Sequence, residues 1–351
     1  MVERGQHTFT EIMSQPEVWR ETLAAFTAQA ETLKQLWTET AFDRVIFTGC
    51  GSTHYLSMLG ARLFQKLTGV PAQAYPASEL VLFPDSAYLK NVRTLLITVS
   101  RSGESSETVA AAQAFHANQR GPVITVGCYR ESALVAEADL AIVIDSAREE
   151  SIAQTRSFSS MAVVVELIAA YLAGRGDANT LASLPNICNR LLQDYHALAK
   201  QLGEDQTLDR FFFLGSDALY GLACEAMLKM KEMALSYSEA FHVLEFRHGP
   251  MSMVTENTLV VGLISEEARN PEIVVLTQMQ GKGARVLAID EGALDFTYPV
   301  QLASGLPAWA RAITYLPALQ LLAYYRSMAN GQNPDKPENL DAVVRIEQLQ
   351  T

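Results

Sequence analysis

Short apolar runs rich in β-branched and aromatic residues recur along the chain, each closed by glycine or small polar residues and separated by stretches with helical spacing. In the first half Arg44-Val-Ile-Phe-Thr48, Leu95-Leu-Ile-Thr-Val99, Val123-Ile-Thr-Val126 and Leu140-Ala-Ile-Val-Ile144 read as strands. A long apolar helix from Phe158 to Leu172 leads through Gly174-Arg-Gly-Asp177 and a polar stretch with Pro185 to a mixed helix near Ile187 to Leu202, which marks a boundary. The second half repeats the order. Arg210-Phe-Phe-Phe-Leu214 precedes Gly215-Ser216, Thr258-Leu-Val-Val-Gly-Leu-Ile264 precedes Ser265, and Ala284-Arg-Val-Leu-Ala-Ile289 follows Gly283. Matching Val45 with Phe211, Leu95 with Leu259 and Gly121 with Gly283 gives offsets of 166, 164 and 162 residues, which predicts duplication of one α/β unit with a parallel sheet. The expected division is 1–190 and 191–351.

With 351 residues, 49% of them hydrophobic, the chain can fill one large core or two smaller ones. A net charge of -12 sets nucleic acid and anionic membranes aside as partners. Cys50, Cys128, Cys188 and Cys224 are scattered without a CxxC pair, which suits a reducing compartment, with cytoplasm the expectation. The N-terminal stretch MVERGQHTFTEIM lacks an apolar signal core, and Met161 to Ala173, interrupted by Glu166, is too short to span a bilayer. A soluble protein is expected.

The chemistry concentrates where strands end, because open parallel sheets bind ligands outside the carboxyl ends of their strands. After the first strand, Gly49-Cys-Gly-Ser-Thr53 opens a helix running from His54 to Phe64. After the second, Ser100, Ser102, Ser105, Ser106 and Thr108 offer hydroxyls beside the free N–H groups of a helix start, with Gly103 for the turn and Arg101 as a nearby cation. Two such ends fit a phosphate; ordinary helix caps, with Glu104 and Glu107 serving the helix dipole, are the competing reading. Gly49-Cys-Gly51 lacks the third glycine of a dinucleotide site. Glu149-Glu-Ser-Ile-Ala-Gln-Thr-Arg-Ser-Phe158 either lines the same crevice or is a capped helix start. Further on, Glu225, Lys229 and Glu232 share one helix face opposite Ala223, Met227, Met230 and Ala234, and the plain reading of the charged face is that it is solvated. Glu245-Phe-Arg-His-Gly-Pro250 puts an acid, a cation and His248 in one loop, the minimum for moving protons on a sugar, although a loop histidine is usually only surface. His7, His54, His116, His196, His242 and His248 show no metal-ligand spacing, so neither metal nor cofactor is expected.

Seven segments in order resemble the sugar-isomerase (SIS) domain family, in particular the isomerase half of glutamine:fructose-6-phosphate amidotransferase and its stand-alone deaminase and deglycase relatives. They are Glu11-Ile-Met-Ser-Gln-Pro16, Gly49-Cys-Gly-Ser52, Ser100-Arg-Ser-Gly-Glu104, Ile152-Ala-Gln-Thr-Arg-Ser-Phe158, Glu225-Ala-Met-Leu-Lys-Met-Lys-Glu232, Glu245-Phe-Arg-His-Gly-Pro250 and Asn333-Pro-Asp-Lys-Pro-Glu-Asn-Leu340. The resemblance implies two tandem flavodoxin-like SIS subdomains, each a parallel sheet flanked by helices. It implies sugar phosphate held by Cys50, Gly51, Ser52, Ser100, Arg101, Ser102 and Ser105 and by the Ile152, Ala153, Gln154 turn. It also implies that the position of Glu232 shuttles a proton between C1 and C2 of the sugar. The position of His248 assists ring opening from the neighbouring subunit, so a homodimer is implied.

Two departures shape the expected activity. The chain opens Met1-Val-Glu-Arg4 directly before the SIS region, so glutamine hydrolysis is not expected and ammonia or another amine takes its place. Where the amidotransferase tail carries a lysine that forms an imine with the ketose, this chain has Ala342. The leading expectation is interconversion of glucosamine 6-phosphate with fructose 6-phosphate and ammonia. A fructosamine 6-phosphate deglycase, or a non-catalytic sugar-phosphate sensor, are the alternatives.

Overall fold

The computed structural model describes residues 3–341, 343, 345 and 346, and among these no helix is long and apolar enough to cross a membrane. Two five-stranded sheets organise the chain. The first contains β1 (Arg44–Gly49), β2 (Ala72–Pro76), β3 (Thr94–Ser100), β4 (Val123–Gly127) and β5 (Leu140–Val143), in the order β2-β1-β3-β4-β5. The second contains β6 (Arg210–Gly215), β7 (Tyr237–Phe241), β8 (Thr258–Leu263), β9 (Arg285–Asp290) and β10 (Tyr298–Gln301), in the order β10-β9-β8-β6-β7. Every pairing is parallel. Counted from its own first strand, each sheet reads 2-1-3-4-5, the flavodoxin-like order. The starts of β1 and β6, β3 and β8, and β4 and β9 lie 166, 164 and 162 residues apart, the same offsets as the sequence matches.

The central strands are mainly apolar because helices cover both faces. All residues of β1, β3, β4 and β8 are buried. On one face of the first sheet Ile46, Leu96 and Val123 pack against Ala111, Ala112 and Phe115 of the Ser106–Ala117 helix. On the other, Phe47 lies against the Ser52–Thr68 helix, where a Cβ on Gly60 would meet Val165 at 2.6 Å and the Phe47 ring at 3.0 Å. In the second sheet the Phe212 face carries Phe246, Val275, Leu276 and Met279. The Phe211 face carries the Ala218–Ala234 helix, tied down by the Ser238 hydroxyl donating to the Met227 carbonyl at 2.9 Å, and the Leu316–Ala329 helix, whose Arg326 guanidinium sits 5.2 Å from the Phe211 ring.

Two compact units follow the sheets, with the principal break between Pro185 and Asn186. The second unit also takes in the chain up to Ser14 and Glu150–Thr155, an exchange of segments that a single cut after residue 190 did not foresee. Its cause is a set of buried and half-buried polar bonds. The Glu11 carboxylate accepts the Glu150 N–H at 2.6 Å and bonds the Ser151 hydroxyl, while the Asp335 carboxylate accepts the Thr8 N–H and hydroxyl at 2.7 and 2.8 Å. The helix expected from Ile187 to Leu202 is two helices, Leu184–Asp194 and His196–Glu204, broken at Tyr195.

Candidate active site

In the first unit β1 and β3 are neighbours whose connections leave in opposite directions, so their carboxyl ends frame the switch-point crevice of the sheet. The helices Ser52–Thr68 and Ser106–Ala117, on opposite faces, both start at this crevice and direct free N–H groups toward it. Gly49 is required there: a Cβ would lie 2.5 Å from Thr53 Oγ1 and 2.7 Å from the Val99 carbonyl. Gly103 turns the chain with φ 66°, and a Cβ would fall 2.1 Å from Ser132 Oγ. Cys50 Sγ lies 3.4 Å from Thr108 Oγ1, which ties the two turns together.

The hydroxyls of this turn take part in its own backbone bonding. Ser100 Oγ accepts the Gly103 N–H at 3.0 Å and Ser102 Oγ accepts the Glu104 N–H at 3.2 Å, so each O–H proton is left to donate outward. Ser105 is the N-cap residue of the Ser106–Ala117 helix, yet its side chain makes no capping bond. Gly51 shapes the neighbouring turn with φ 55°, and Ser52 begins the other helix, buried. Arg101, expected as a cation near the phosphate, has an ion-pair partner of its own. It is buried against Glu149, Nη1 to Oε2 3.4 Å, and Glu149 also accepts the Ser157 N–H at 3.1 Å. The guanidinium therefore holds the strand end to the start of the Arg156–Leu172 helix. At the rim, Arg345 approaches Glu104 at 3.7 Å and the Ile346 N–H donates to Ser106 Oγ at 2.9 Å. Ala342 lies outside the described residues.

In the second unit the Ile152, Ala153, Gln154 turn is held from three sides. The Ile152 N–H donates to the Asp335 carbonyl at 3.0 Å, Ser151 is anchored to Glu11, and Gln320 donates to the Thr155 carbonyl at 3.0 Å. Three of the seven segments thus meet at one place. Ala153 is buried, and Gln154 Oε1 is buried with no hydrogen-bond partner among the described residues.

The charged face of the Ala218–Ala234 helix is not solvated. Lys229 sits between Glu225, at 3.2 Å, and Glu232, in a shorter contact; side-chain exposures are 3%, 2% and 16% for Glu225, Lys229 and Glu232. Met227, read as packing, is less buried than Lys229. Burial works against the Lys229 ammonium, but the charges of Glu225 and Glu232 outweigh it and hold its pKa above the ordinary lysine value. Glu232 is thus the accessible end of a buried acid–lysine–acid chain. Sequence reasoning missed Lys229 and Glu149 as site residues; a lysine at i+4 and i−3 from two acids is the available signal for the first, whereas Glu149 meets Arg101 only through the fold.

His248 is exposed at the end of the Glu245–Arg247 turn and lines a hollow of about 610 Å³ with Arg247, Gln278 and Lys282. Phe246 anchors the turn to the Phe212 face, with ring centroids 5.0 Å apart. Because the Glu232 helix packs on the Phe211 face, one chain presents Glu232 and His248 on opposite faces of one sheet.

A duplicated, doubly wound α/β protein, with hydroxyl-lined helix starts at the switch point of its first sheet, is the class these features define. The chain belongs to the SIS domain family, whose profile matches residues 41–171 and 207–299. It is 31% identical to the glutamine–fructose-6-phosphate aminotransferase (isomerizing) of Symbiobacterium thermophilum, over 98% of this chain and 60% of that protein. The counterpart of Methanothermobacter thermautotrophicus is 28% identical over 99% of this chain and 59% of that protein, so the chain spans about three-fifths of these relatives. Among solved structures, glucosamine-6-phosphate deaminase from Thermotoga maritima superposes with a TM-score of 0.75 at 29% identity, covering 93% of this chain and 100% of that one. Tagatose-6-phosphate ketose/aldose isomerase from Escherichia coli superposes with a TM-score of 0.87 at 24% identity over 99% and 100%, which speaks to the fold.

Proposed function

We propose that the protein is a phosphosugar aldose–ketose isomerase acting on an amino-sugar phosphate, converting glucosamine 6-phosphate and water to fructose 6-phosphate and ammonia. The observation that carries the reading is Glu232, the accessible end of the buried Glu225–Lys229–Glu232 chain, in a family whose structurally similar members include a glucosamine-6-phosphate deaminase and a ketose/aldose isomerase. The hydroxyls of Ser52, Ser100, Ser102 and Ser105 and the two helix starts would anchor the phosphate. Gln154 Oε1 would accept a sugar hydroxyl.

In the open-chain aldose the C2 proton is acidified by the adjacent C1 carbonyl. The Glu232 carboxylate takes it, electrons pass through C1=C2 to the C1 oxygen, which gains a proton, and an enolamine results. Glu232 returns the proton to C1, the nitrogen lone pair forms a C2 imine, and water adds to C2 and expels ammonia. His248 would assist ring opening, moving the anomeric hydroxyl proton to the ring oxygen. The opposite-face placement of Glu232 and His248 supports a homodimer in which His248 serves the neighbour's sugar.

Purified protein incubated with glucosamine 6-phosphate should release ammonia and fructose 6-phosphate in equal amounts; absence of turnover with this and related amino-sugar phosphates would sink the reading. Ala342, unable to form an imine, favours a second reading as a fructosamine 6-phosphate deglycase. That enzyme would yield glucose 6-phosphate and an amine, so product identity separates the two. If Glu232→Gln leaves every measured activity unchanged while sugar phosphate still raises the melting temperature, the sensor reading gains.

A further inference from the structure

A second polar hollow, about 1010 Å³, lies in the first unit between the segment leading into β3 and the segment leading into β4. It is lined by Tyr88, Lys90, Arg93 and Arg120, with Asn91 and Gln119 supplying amides and Asp85 as the one acid. In a chain of net charge -12, and with Arg93 neutralised by Asp43, two cations against one lining acid is a local inversion of sign. Arg93 is committed to Asp43 through bonds of 2.9 and 3.0 Å, whereas Lys90 and Arg120 make no ion pair among the described residues. Arg120 is fixed in place, its guanidinium 3.8 Å from the centroid of the Tyr88 ring, which in turn packs 5.8 Å from Phe115. A guanidinium held over a ring gives up little freedom on binding an anion.

The hollow is remote from the sugar-phosphate crevice but shares its two supports. Strand β3 runs from Thr94 beside the hollow to Ser100 at the crevice, and the Ser106–Ala117 helix runs from the crevice back to Asn118, Gln119 and Arg120. Seven strand residues and twelve helical residues each span roughly 20 Å, so the same two rods join both places.

We propose that this hollow binds a small metabolite carrying at least two phosphate charges, and that its occupancy changes the grip of the Ser100–Ser106 turn at the far ends of β3 and the Ser106–Ala117 helix. The effect on the turn rests on the proposed function; the binding itself does not.

Pyrophosphate is the probe, titrated calorimetrically into the full chain and into Lys90→Glu, Arg120→Gln and Ser102→Ala/Ser105→Ala variants. Pyrophosphate binds the wild type and the serine variant alike, and Lys90→Glu and Arg120→Gln each weaken it by about tenfold or more. Lys90 is exposed, so its reversal keeps the fold, and without pyrophosphate that variant binds glucosamine 6-phosphate as the wild type does. Pyrophosphate changes the Kd for glucosamine 6-phosphate at least twofold in the wild type and not in Lys90→Glu. No pyrophosphate binding, binding unaffected by both cation variants, or binding lost in the serine variant overturns the site. Binding that follows the cations but leaves the sugar Kd unchanged overturns the coupling alone. Every readout is an affinity, so a wild type that binds both ligands and turns neither over refutes the proposed reaction without touching the site.

Discussion

Replacing Lys229 by methionine removes the buried cation paired with Glu225. Lys229 and Glu225 have side-chain exposures of 2% and 3%, and their charged atoms are 3.2 Å apart. At an effective dielectric of about 20 the attraction is on the order of 5 kcal/mol, and removing one partner of a buried pair costs about 3–5 kcal/mol. An exposed pair of the same i,i+4 spacing contributes only about 0.3–0.5 kcal/mol, so burial decides the size of the effect. For a unit of this size each kcal/mol corresponds to about 2–4 °C, which puts the fall in Tm at roughly 6–20 °C by scanning calorimetry. Adding Glu225→Leu should restore most of the loss, because a buried ion pair exchanged for apolar residues is often neutral. With its folded pKa above the ordinary value of 10.5, Lys229 contributes stability that is complete below that pH and lost only as pH rises through the folded value. The penalty of Lys229→Met should therefore be constant between about pH 6 and 9. A fall in Tm below about 3 °C, or no recovery in the double variant, would refute this account of the helix.

Glu232→Gln should lower kcat by about 10²–10⁴ in the ammonia-release assay while changing Tm little, since its side chain is the most exposed of the three. Ser102→Ala and Ser105→Ala should each raise KM several-fold with kcat nearly unchanged, because each removes a phosphate contact that is uniform along the reaction; a kcat effect without a KM effect would place them elsewhere. Glu232→Gln and His248→Ala, each inactive alone, should together recover about a quarter of wild-type activity after subunit exchange, and no recovery would reject the shared site. Burial pushes the thiols of Cys128, Cys188 and Cys224 up, the last to about 11, whereas Cys50 is half-exposed. Burial first, with Glu107 adding to it, raises the Cys50 thiol as well, so alkylation should be slow, begin at Cys50 and be blocked by sugar phosphate; mass spectrometry locates the adduct.

Legibility of the fold divides between the middle and the rims of the sheets. Seven strands announced themselves as apolar runs because helices bury both their faces. The three that did not, β2, β7 and β10, all lie at sheet edges. Ala72–Pro76, Tyr237–Phe241 and Tyr298–Gln301 each leave most residues partly or fully accessible, so no apolar run was present to read. The fourth edge, β5, was visible because three of its four residues are buried. The hydroxyls of the Ser100–Ser106 turn were legible for the complementary reason: serine and glycine at a strand end report local geometry, and local geometry is written in adjacent residues.

What adjacent residues do not encode is which charges the fold consumes internally. Arg101 and Lys229 looked alike in the sequence, cations among polar neighbours, and both turned out to be buried and paired. Their partners lie at opposite extremes of separation, Glu149 forty-eight residues from Arg101, Glu225 one helical turn from Lys229. The same helical pattern that suggested a solvated face for Glu225, Lys229 and Glu232 gives a buried one when neighbours cover the helix on more than one side, and spacing alone does not distinguish the cases. With Arg101 paired to Glu149, a phosphate bound as proposed at the Ser100–Ser106 turn would meet mainly hydroxyls and backbone amides, with Arg345 near the rim. Binding through such dipoles depends less on salt than binding through exposed lysines would, because neutral donors carry no counterions to release. A sugar-phosphate KM that rises less than about twofold between 50 mM and 500 mM salt is the outcome this arrangement requires, and a steep salt dependence would return Arg101 to the ligand.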